Sequence, residues 1–314
     1  MTNKAKSPVS IAAFIRSPNT TTPALLVLSI FILSFLARAI GLSDAVGEDE
    51  LLTHIILQIM AIALPAIFYC KLKDTGYSGR LKLRLFGLGK LPIMIFALLA
   101  MVFGSIAIRF FLYTIGISDG LPIYNTRGIG VGQALYVFFA FALIPGIIEE
   151  FVFRGILMSE YEHFGGMASV LASGLLFAML RFSLQEFAVH FFVGVLLAFV
   201  VFITRSAISA VIIHILYGAF FLFVEPNVWY IISYPPSQTI FIFIVVIAAA
   251  LFLALALGEA ERLFKSYAAD GEDPPQLINP SKNNFSLRST AKVLFSPAFL
   301  ACVVVFIAFS LSGG

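Results

Sequence analysis

The sequence predicts an all-α membrane protein, a polytopic bundle of about eight or nine transmembrane helices. Of its 314 residues, 60% are hydrophobic and only 12% are charged, which is far more apolar than a soluble globular chain. Its apolar runs reach the length of about 20 residues that a spanning helix needs. The runs lack the two-residue alternation of a barrel strand, and they are therefore expected to be helical.

Each expected helix is a continuous run of mostly Leu, Ile, Val, Phe and Ala. In chain order the runs lie near residues 22–42, 51–70, 91–117, 131–158, 166–182, 186–204, 206–224, 239–258 and 291–312. The first run is too long for a signal peptide and lacks a small-residue cleavage pattern, so a retained helix is expected. Cys70 and Cys302 fall in or beside such runs, and no disulfide between them is predicted.

Composition divides the chain into three expected units. These are N-terminal transmembrane helices (1–129), a core that carries the polar motifs (130–224) and C-terminal helices (225–314). Between residues 259 and 289 the composition changes to Asp, Glu, Pro, Asn and Ser, which is typical of a flexible linker. This polar linker is expected to tether a peripheral last helix.

The orientation follows from Lys and Arg in the short loops. The first loop holds four acids and no basic residue, whereas the N-terminal tail and the second loop are basic. Basic loops stay in the cytoplasm, which predicts a cytoplasmic N-terminus. The net charge of +3 is spread over these flanks. The lipid bilayer is a sufficient partner for these basic residues, and no nucleic-acid partner is predicted. The basic residues are Lys4, Lys6 and Arg16 in the tail, and Lys71, Lys73, Arg80, Lys82, Arg84 and Lys90 in the second loop.

Two adjacent carboxylates, Glu149 and Glu150, lie inside the fourth apolar run. Ionisable groups in a membrane segment cost roughly 2.5–3.5 kcal/mol each and usually mark a functional site. Glu150 and Arg154 are four residues apart, so they share a helix face and can form an ion pair. Glu149 points about 100° away and is expected to be unpaired. An unpaired carboxylate among apolar residues can take a proton from water and then return it.

An alternative is that both acids are ordinary solvated charges at the membrane edge, because this helix is expected to end soon after them. Three other polar residues follow within spans, namely Arg181, His190 and His214. Single histidines in membrane helices are usually interhelical hydrogen bonders, but together with two acids they indicate a shared site. The His-Glu-x-x-His pattern of a zinc site is absent, and neither a metal nor another cofactor is predicted.

The polar residues occur in an order that resembles the CPBP family (also called Abi) of CAAX-processing and bacteriocin-processing intramembrane proteases. That family carries the motifs E-E-x-x-x-R, F-x-x-x-H and H-x-x-x-N. The corresponding segments here are Glu149-Glu150-x-x-x-Arg154, Phe177-x-x-x-Arg181 and His214-x-x-x-Gly218. The resemblance covers about residues 130–224.

The resemblance implies a catalytic set of Glu149, Glu150 and His214. Glu149 would be the general base, Glu150 would pair with Arg154, and His214 would be an oxyanion donor, worth about 2.7–4 kcal/mol. Two positions depart from the motifs: Arg181 stands where the family has histidine, and Gly218 where it has asparagine. Arginine cannot accept a proton from water, but it can hold Glu149 ionised or stabilise an oxyanion. His190 is a candidate for the missing imidazole.

Two functions remain open at this point. The first is a CAAX-type intramembrane endopeptidase of a bacterial cell membrane, acting on a membrane-embedded or lipid-modified peptide or protein substrate with a glutamate-activated water. The second is a catalytically reduced scaffold that binds or regulates a membrane or cell-envelope partner, which the two departures favour. A transporter that binds an ion at the paired charges is a more distant third.

Overall fold

A computed structural model describes residues 15–42, 49–73, 81–117, 126, 128–232, 235–273, 275 and 283–311. Throughout these ranges the chain forms helices joined by turns, and no strand occurs in them. The predicted all-α class is therefore confirmed, and the physical reason is that only helices can satisfy their own backbone groups within single apolar segments.

The described helices are numbered here in chain order. They are α1 Thr22–Ala39, α2 Glu50–Lys73, α3 Leu91–Thr114, α4 Val131–Phe164, α5 Gly166–Met179, α6 Leu184–Thr204, α7 Ala207–Phe223, α8 Glu225–Ile232, α9 Pro235–Ala269, α10 Asn283–Leu294 and α11 Pro297–Leu311. Helices α2 and α4 each contain π-helical segments.

The described residues contain fewer candidate membrane spans than the eight or nine that the sequence predicts. Among the described residues, five helices (α2, α3, α4, α6 and α9) are long and apolar enough to cross a membrane. The pair α10 and α11, bent by 55°, makes a sixth if it counts as one span. Helices α1, α5 and α7 are apolar but shorter. The protein is an integral membrane protein, and the expected eight or nine spans are not confirmed.

Helix α9 continues to Ala269 and packs along α3. Part of the segment 259–289, which the composition assigns to a linker, is therefore helical. The last helix, α11, packs against α1 and also contacts α5. Cys302 of α11 is fully buried and donates to the Ala24 carbonyl oxygen, while Cys70 and Cys302 are both free thiols.

Helices α5 and α6 approach each other closely at two glycines. A Cβ built on Gly194 would lie 2.9 Å from the Gly174 carbonyl oxygen, and one on Gly174 would lie 2.8 Å from Val195 Cγ2. Two glycines facing each other thus let the helix backbones touch, as small residues do in membrane helix pairs. This contact matters for the site because the Gly194 carbonyl accepts a hydrogen bond from Arg154.

Gly194→Ala is expected to lower the free energy of unfolding by about 1–3 kcal/mol, because the methyl group would push α6 away from α5. Gly258→Ala is the matched control, since Gly258 also lies in a helix but its Cβ would meet nothing within 4 Å. There the alanine is expected to leave stability unchanged or to raise it. Denaturant unfolding in detergent micelles measures both. Equal stability of the two variants would contradict the close contact.

Candidate active site

The two carboxylates lie in the middle of α4, where an α-helical turn, Ile144–Glu150, meets a π-helical segment, Phe151–Leu157. Both Glu149 and Glu150 are 0% exposed. Gly146, in the preceding turn, lets α7 approach, because a Cβ there would lie 2.7 Å from Ile215 Cγ1. Because both carboxylates are buried, the alternative that they are ordinary solvated charges at the membrane edge is wrong.

Glu150 is the centre of a buried ion cluster. Arg154 Nη1 donates to Glu150 Oε1 at 3.0 Å, and His214 Nδ1 lies 2.7 Å from the same oxygen. The Arg154 Nη2 donates to the Gly194 carbonyl at 2.9 Å, and the guanidinium lies 4.4 Å from the Phe177 ring centroid. The intrahelical pair predicted from the four-residue spacing is present. The cluster ties α4 to α6 and α7.

Glu149 is not the unpaired carboxylate that its angular position predicts. Arg181 Nη2 donates to Glu149 Oε2 at 3.0 Å, and Gln58 Nε2 donates to Oε1 at 2.8 Å. The prediction was wrong because both partners lie outside α4, Gln58 in α2 and Arg181 in the turn after α5, so the spacing within α4 contains no information about them. The Arg181 side chain is 27% exposed, so the Arg181–Glu149 ion pair can be reached from the arginine side.

The depth of Arg181 relative to Glu149 also differs from the depth that the predicted spans give. The predicted spans place Glu149 in the cytoplasmic half of its helix and Arg181 near the far end of the next one. In the structure α4 continues to Phe164, and the chain reverses at Gly165. Glu149 precedes Gly165 by the same number of residues by which Arg181 follows it. The two side chains therefore meet at one depth.

Two polar residues at this site, His54 and Gln58, were missed by the sequence reasoning. Gln58 begins the π-helical segment of α2, and His54 lies one turn earlier on the same face. The His54 ring lies 4.6 Å from the Phe141 ring. A polar residue inside the apolar run Ile55-Ile56-Leu57-Gln58-Ile59 was the signal that could have identified this face.

Among the described residues, His190 pairs with neither carboxylate. Its Nδ1 lies 2.9 Å from the Glu186 carbonyl oxygen, and within the described chain its ring makes no hydrogen bond to Glu149 or Glu150.

Gly218 faces α4 so closely that a Cβ would lie 2.9 Å from Ala142 Cβ. Helix packing therefore occupies the space in which the asparagine side chain of the family motif would have to lie.

A second buried charge cluster, also missed, lies on the other side of His190. Arg109 Nη2 contacts Glu186 Oε2 at 2.6 Å, and Arg109 Nη1 contacts Glu225 Oε1 at 3.2 Å. Trp229 Nε1 donates to Glu225 Oε1 at 3.3 Å. The cluster joins α3, α6 and α8, so these contacts hold the helices around the site together.

An apolar groove of about 470 Å³ lies along α4, and neither Glu149 nor Glu150 lines it. It lies between α2, α4 and α7, and two of its lining residues are the chain neighbours of Glu149 and Glu150. No three His, Cys, Asp or Glu side chains in the described ranges are grouped so that they could hold a metal ion. Residues that line the groove include Ile67, Leu83, Ile147, Ile148, Phe151 and Ile208.

Comparison with known proteins identifies one family. Residues 131–220 match the family model described as type II CAAX prenyl endopeptidase Rce1-like. The matched segment contains Glu149, Glu150, Arg154, Arg181 and His214, whereas His54 and Gln58 lie outside it. No match to the chain is found among the curated proteins or among the solved structures.

Proposed function

We propose that this membrane protein is an intramembrane endopeptidase, because residues 131–220 match the model of the Rce1-like type II CAAX prenyl endopeptidases. It hydrolyses a peptide bond in a membrane-embedded peptide or protein, with a water molecule activated by Glu149. The observation that carries the proposal is the buried Glu149 carboxylate, held between Gln58 and Arg181 and open on the arginine side.

The chemistry divides between a base and a fixed cation. Glu149 takes a proton from the water whose oxygen attacks the scissile carbonyl carbon. A guanidinium is not a proton acceptor, so Arg181 is not assigned as the base, but its planar cation is suited to the developing oxyanion. This assigns to Arg181 a stabilising role in place of the histidine of the second motif.

The Glu150 cluster has a positioning role in this proposal. Arg154 neutralises Glu150, and the pair holds α4 against α6 through the Gly194 carbonyl. His214 Nδ1 lies 2.7 Å from Glu150 Oε1, which orients the ring. When both ring nitrogens carry protons, the second nitrogen can donate toward the substrate. His214 is therefore proposed as a second oxyanion donor.

The substrate class follows from the groove beside the site. Its lining is aliphatic and aromatic, and it adjoins Ile148 and Phe151 on either side of the carboxylate pair. Such a surface suits the apolar part of a membrane-anchored or lipid-modified peptide.

We also propose a bacterial cell membrane location and a cytoplasmic N-terminus. The proposed orientation is supported by three ion pairs that place these segments on one side of the protein, Lys73–Glu160, Lys82–Glu162 and Arg205–Glu272. They involve loops and helix ends that the positive-inside rule assigns to the cytoplasm.

The second candidate is a catalytically reduced scaffold that binds a membrane partner. The packing at Gly218 favours it, because Ala142 fills the place of the side chain that the family uses as a further oxyanion donor. In this case the buried charge network would serve only to hold the helices together.

Arg181 variants test the proposed function. Arg181→Leu is expected to lower cleavage of a membrane-anchored peptide library by on the order of 10²-fold, because the oxyanion loses its fixed cation. Arg181→His, which restores the second motif, is expected to retain more activity than Arg181→Leu. Cleavage is measured by mass spectrometry of the products, with the purified full-length protein in liposomes.

The outcomes separate the two candidates. Equal cleavage by wild type and Arg181→Leu would remove Arg181 from the reaction. Absence of cleavage by wild type and both variants, together with copurification of the same membrane partner by all three, would favour the scaffold.

A further inference from the structure

We propose that His54 of α2 provides the imidazole that the second motif lacks and donates a proton to the leaving amine. The inference rests on the proposed endopeptidase function. His54 lies outside the matched segment, on a helix that the motifs do not include.

The first supporting observation is the position of α2. The hydrogen bond of 2.8 Å from Gln58 Nε2 to Glu149 Oε1 fixes this helix against α4. His54 is four residues before Gln58, so the two side chains are neighbours on one helix face. The His54 ring is within electrostatic reach of both Glu149 and Arg181. It therefore belongs to the same site as the proposed base.

The second observation is a set of unsatisfied polar atoms. Within the described chain, three buried atoms around Glu149 have no hydrogen-bond partner: His54 Nε2, Gln58 Oε1 and Arg181 Nε. Buried polar atoms in folded proteins are normally paired. Three unpaired atoms on the residues that surround one carboxylate indicate a place for a polar ligand such as a peptide group.

The third observation is that the His54 ring is held in place. It is tilted by 30° against the Phe141 ring at a centroid distance of 4.6 Å. The charged groups that face it are Glu149 of α4 and Arg181 after α5. Asp49, at the start of its own helix, accepts a hydrogen bond from Tyr136. Among these side chains the imidazole is the one that has both a nitrogen that accepts a proton and a nitrogen that donates one.

The proton balance requires such a group. As the water oxygen bonds to the carbonyl carbon, one water proton moves to Glu149. That proton passes from Glu149 to the neutral imidazole of His54, and as the C–N bond breaks, the ring passes the proton on to the amine nitrogen. The products are a carboxylic acid and an amine, and both side chains recover their starting states. Arg181 cannot take part in this transfer.

His54→Gln tests the inference, with His163→Gln as the matched control. His163 lies exposed in the short turn Glu162–Phe164 and faces neither carboxylate. Cleavage of an anchored amide peptide is measured against pH, beside cleavage of the corresponding ester, whose alcohol leaving group needs less help from an acid. His54→Gln is expected to lower amide cleavage by on the order of 10²-fold at every pH measured and to preserve ester cleavage. His163→Gln is expected to behave as wild type.

Three results would overturn the inference in distinguishable ways. Amide cleavage by His54→Gln with an unchanged rate and pH profile removes His54 from the reaction while the endopeptidase remains. Equal loss of amide and ester cleavage assigns His54 a positioning role instead of proton donation. Failure of the wild type to cleave either substrate overturns the proposed function, and this inference with it.

Discussion

Glu149→Gln is expected to lower kcat/KM for an anchored peptide by on the order of 10²–10⁴-fold, the range associated with a general base. Glutamine preserves the shape of the side chain but cannot take a proton from water. It also leaves Arg181 without its anionic partner, since the 3.0 Å contact is made to a carboxylate oxygen. The measurement is the rate of product formation by the purified protein in liposomes.

The chain offers a matched control for this substitution. Glu160 lies in the same helix and is equally buried, and it is paired with Lys73 at 2.7 Å, away from Glu149. Glu160→Gln therefore removes a buried, paired carboxylate without touching the site, and cleavage by the folded variant is expected to match wild type. If both substitutions reduce cleavage to the same extent, the effect is structural and Glu149 is not the base.

Arg154→Met is expected to lower the free energy of unfolding by about 3–5 kcal/mol, the usual result of removing one partner of a buried ion pair. Both Arg154 and Glu150 are 0% exposed, so the remaining carboxylate would have no water around it. The Gly194 carbonyl would lose its hydrogen bond as well. Denaturant titration in micelles, followed by circular dichroism, measures the change.

The double variant Glu150→Gln/Arg154→Met is expected to recover part of this loss, because the uncompensated charge is gone. Lys265→Met is the control with the same spacing, since Lys265 and Glu261 are also four residues apart but lie on the exposed surface. It is expected to change stability little. If the double variant is less stable than Arg154→Met, the burial of an unpaired charge is not the cause of the lost stability.

Sequence patterns within single helices were sufficient to predict part of the site. The Glu150–Arg154 contact follows from helical spacing alone, because residues four apart share a face in any α-helix and the π-helical junction preserves the contact. Apolar runs located α2, α4, α5, α6 and α7, which contribute to the site. They did not establish the number of spans, because α1, α5 and α7 are apolar but shorter than the other candidate spans among the described residues.

Contacts between helices could not be derived in this way. Arg181 reaches Glu149 because α4 extends to Phe164 and the hairpin at Gly165 brings both residues to one depth. Gln58 reaches Glu149 from a helix that lies far away in the chain, and the motifs contain no position for it. The closeness of Gly218 to Ala142 likewise depends on how α7 packs against α4.

The sequence by itself determined the membrane class, the helical segments, the buried pair and the order of the family motifs. These properties depend on hydropathy and on spacing within single helices, which are local. Only the tertiary structure decided that Glu149 is paired, that His54 and Gln58 join its surroundings, and that no side chain fits at position 218. Those properties depend on the depth and the face at which separate helices meet, and no pattern within one helix specifies either.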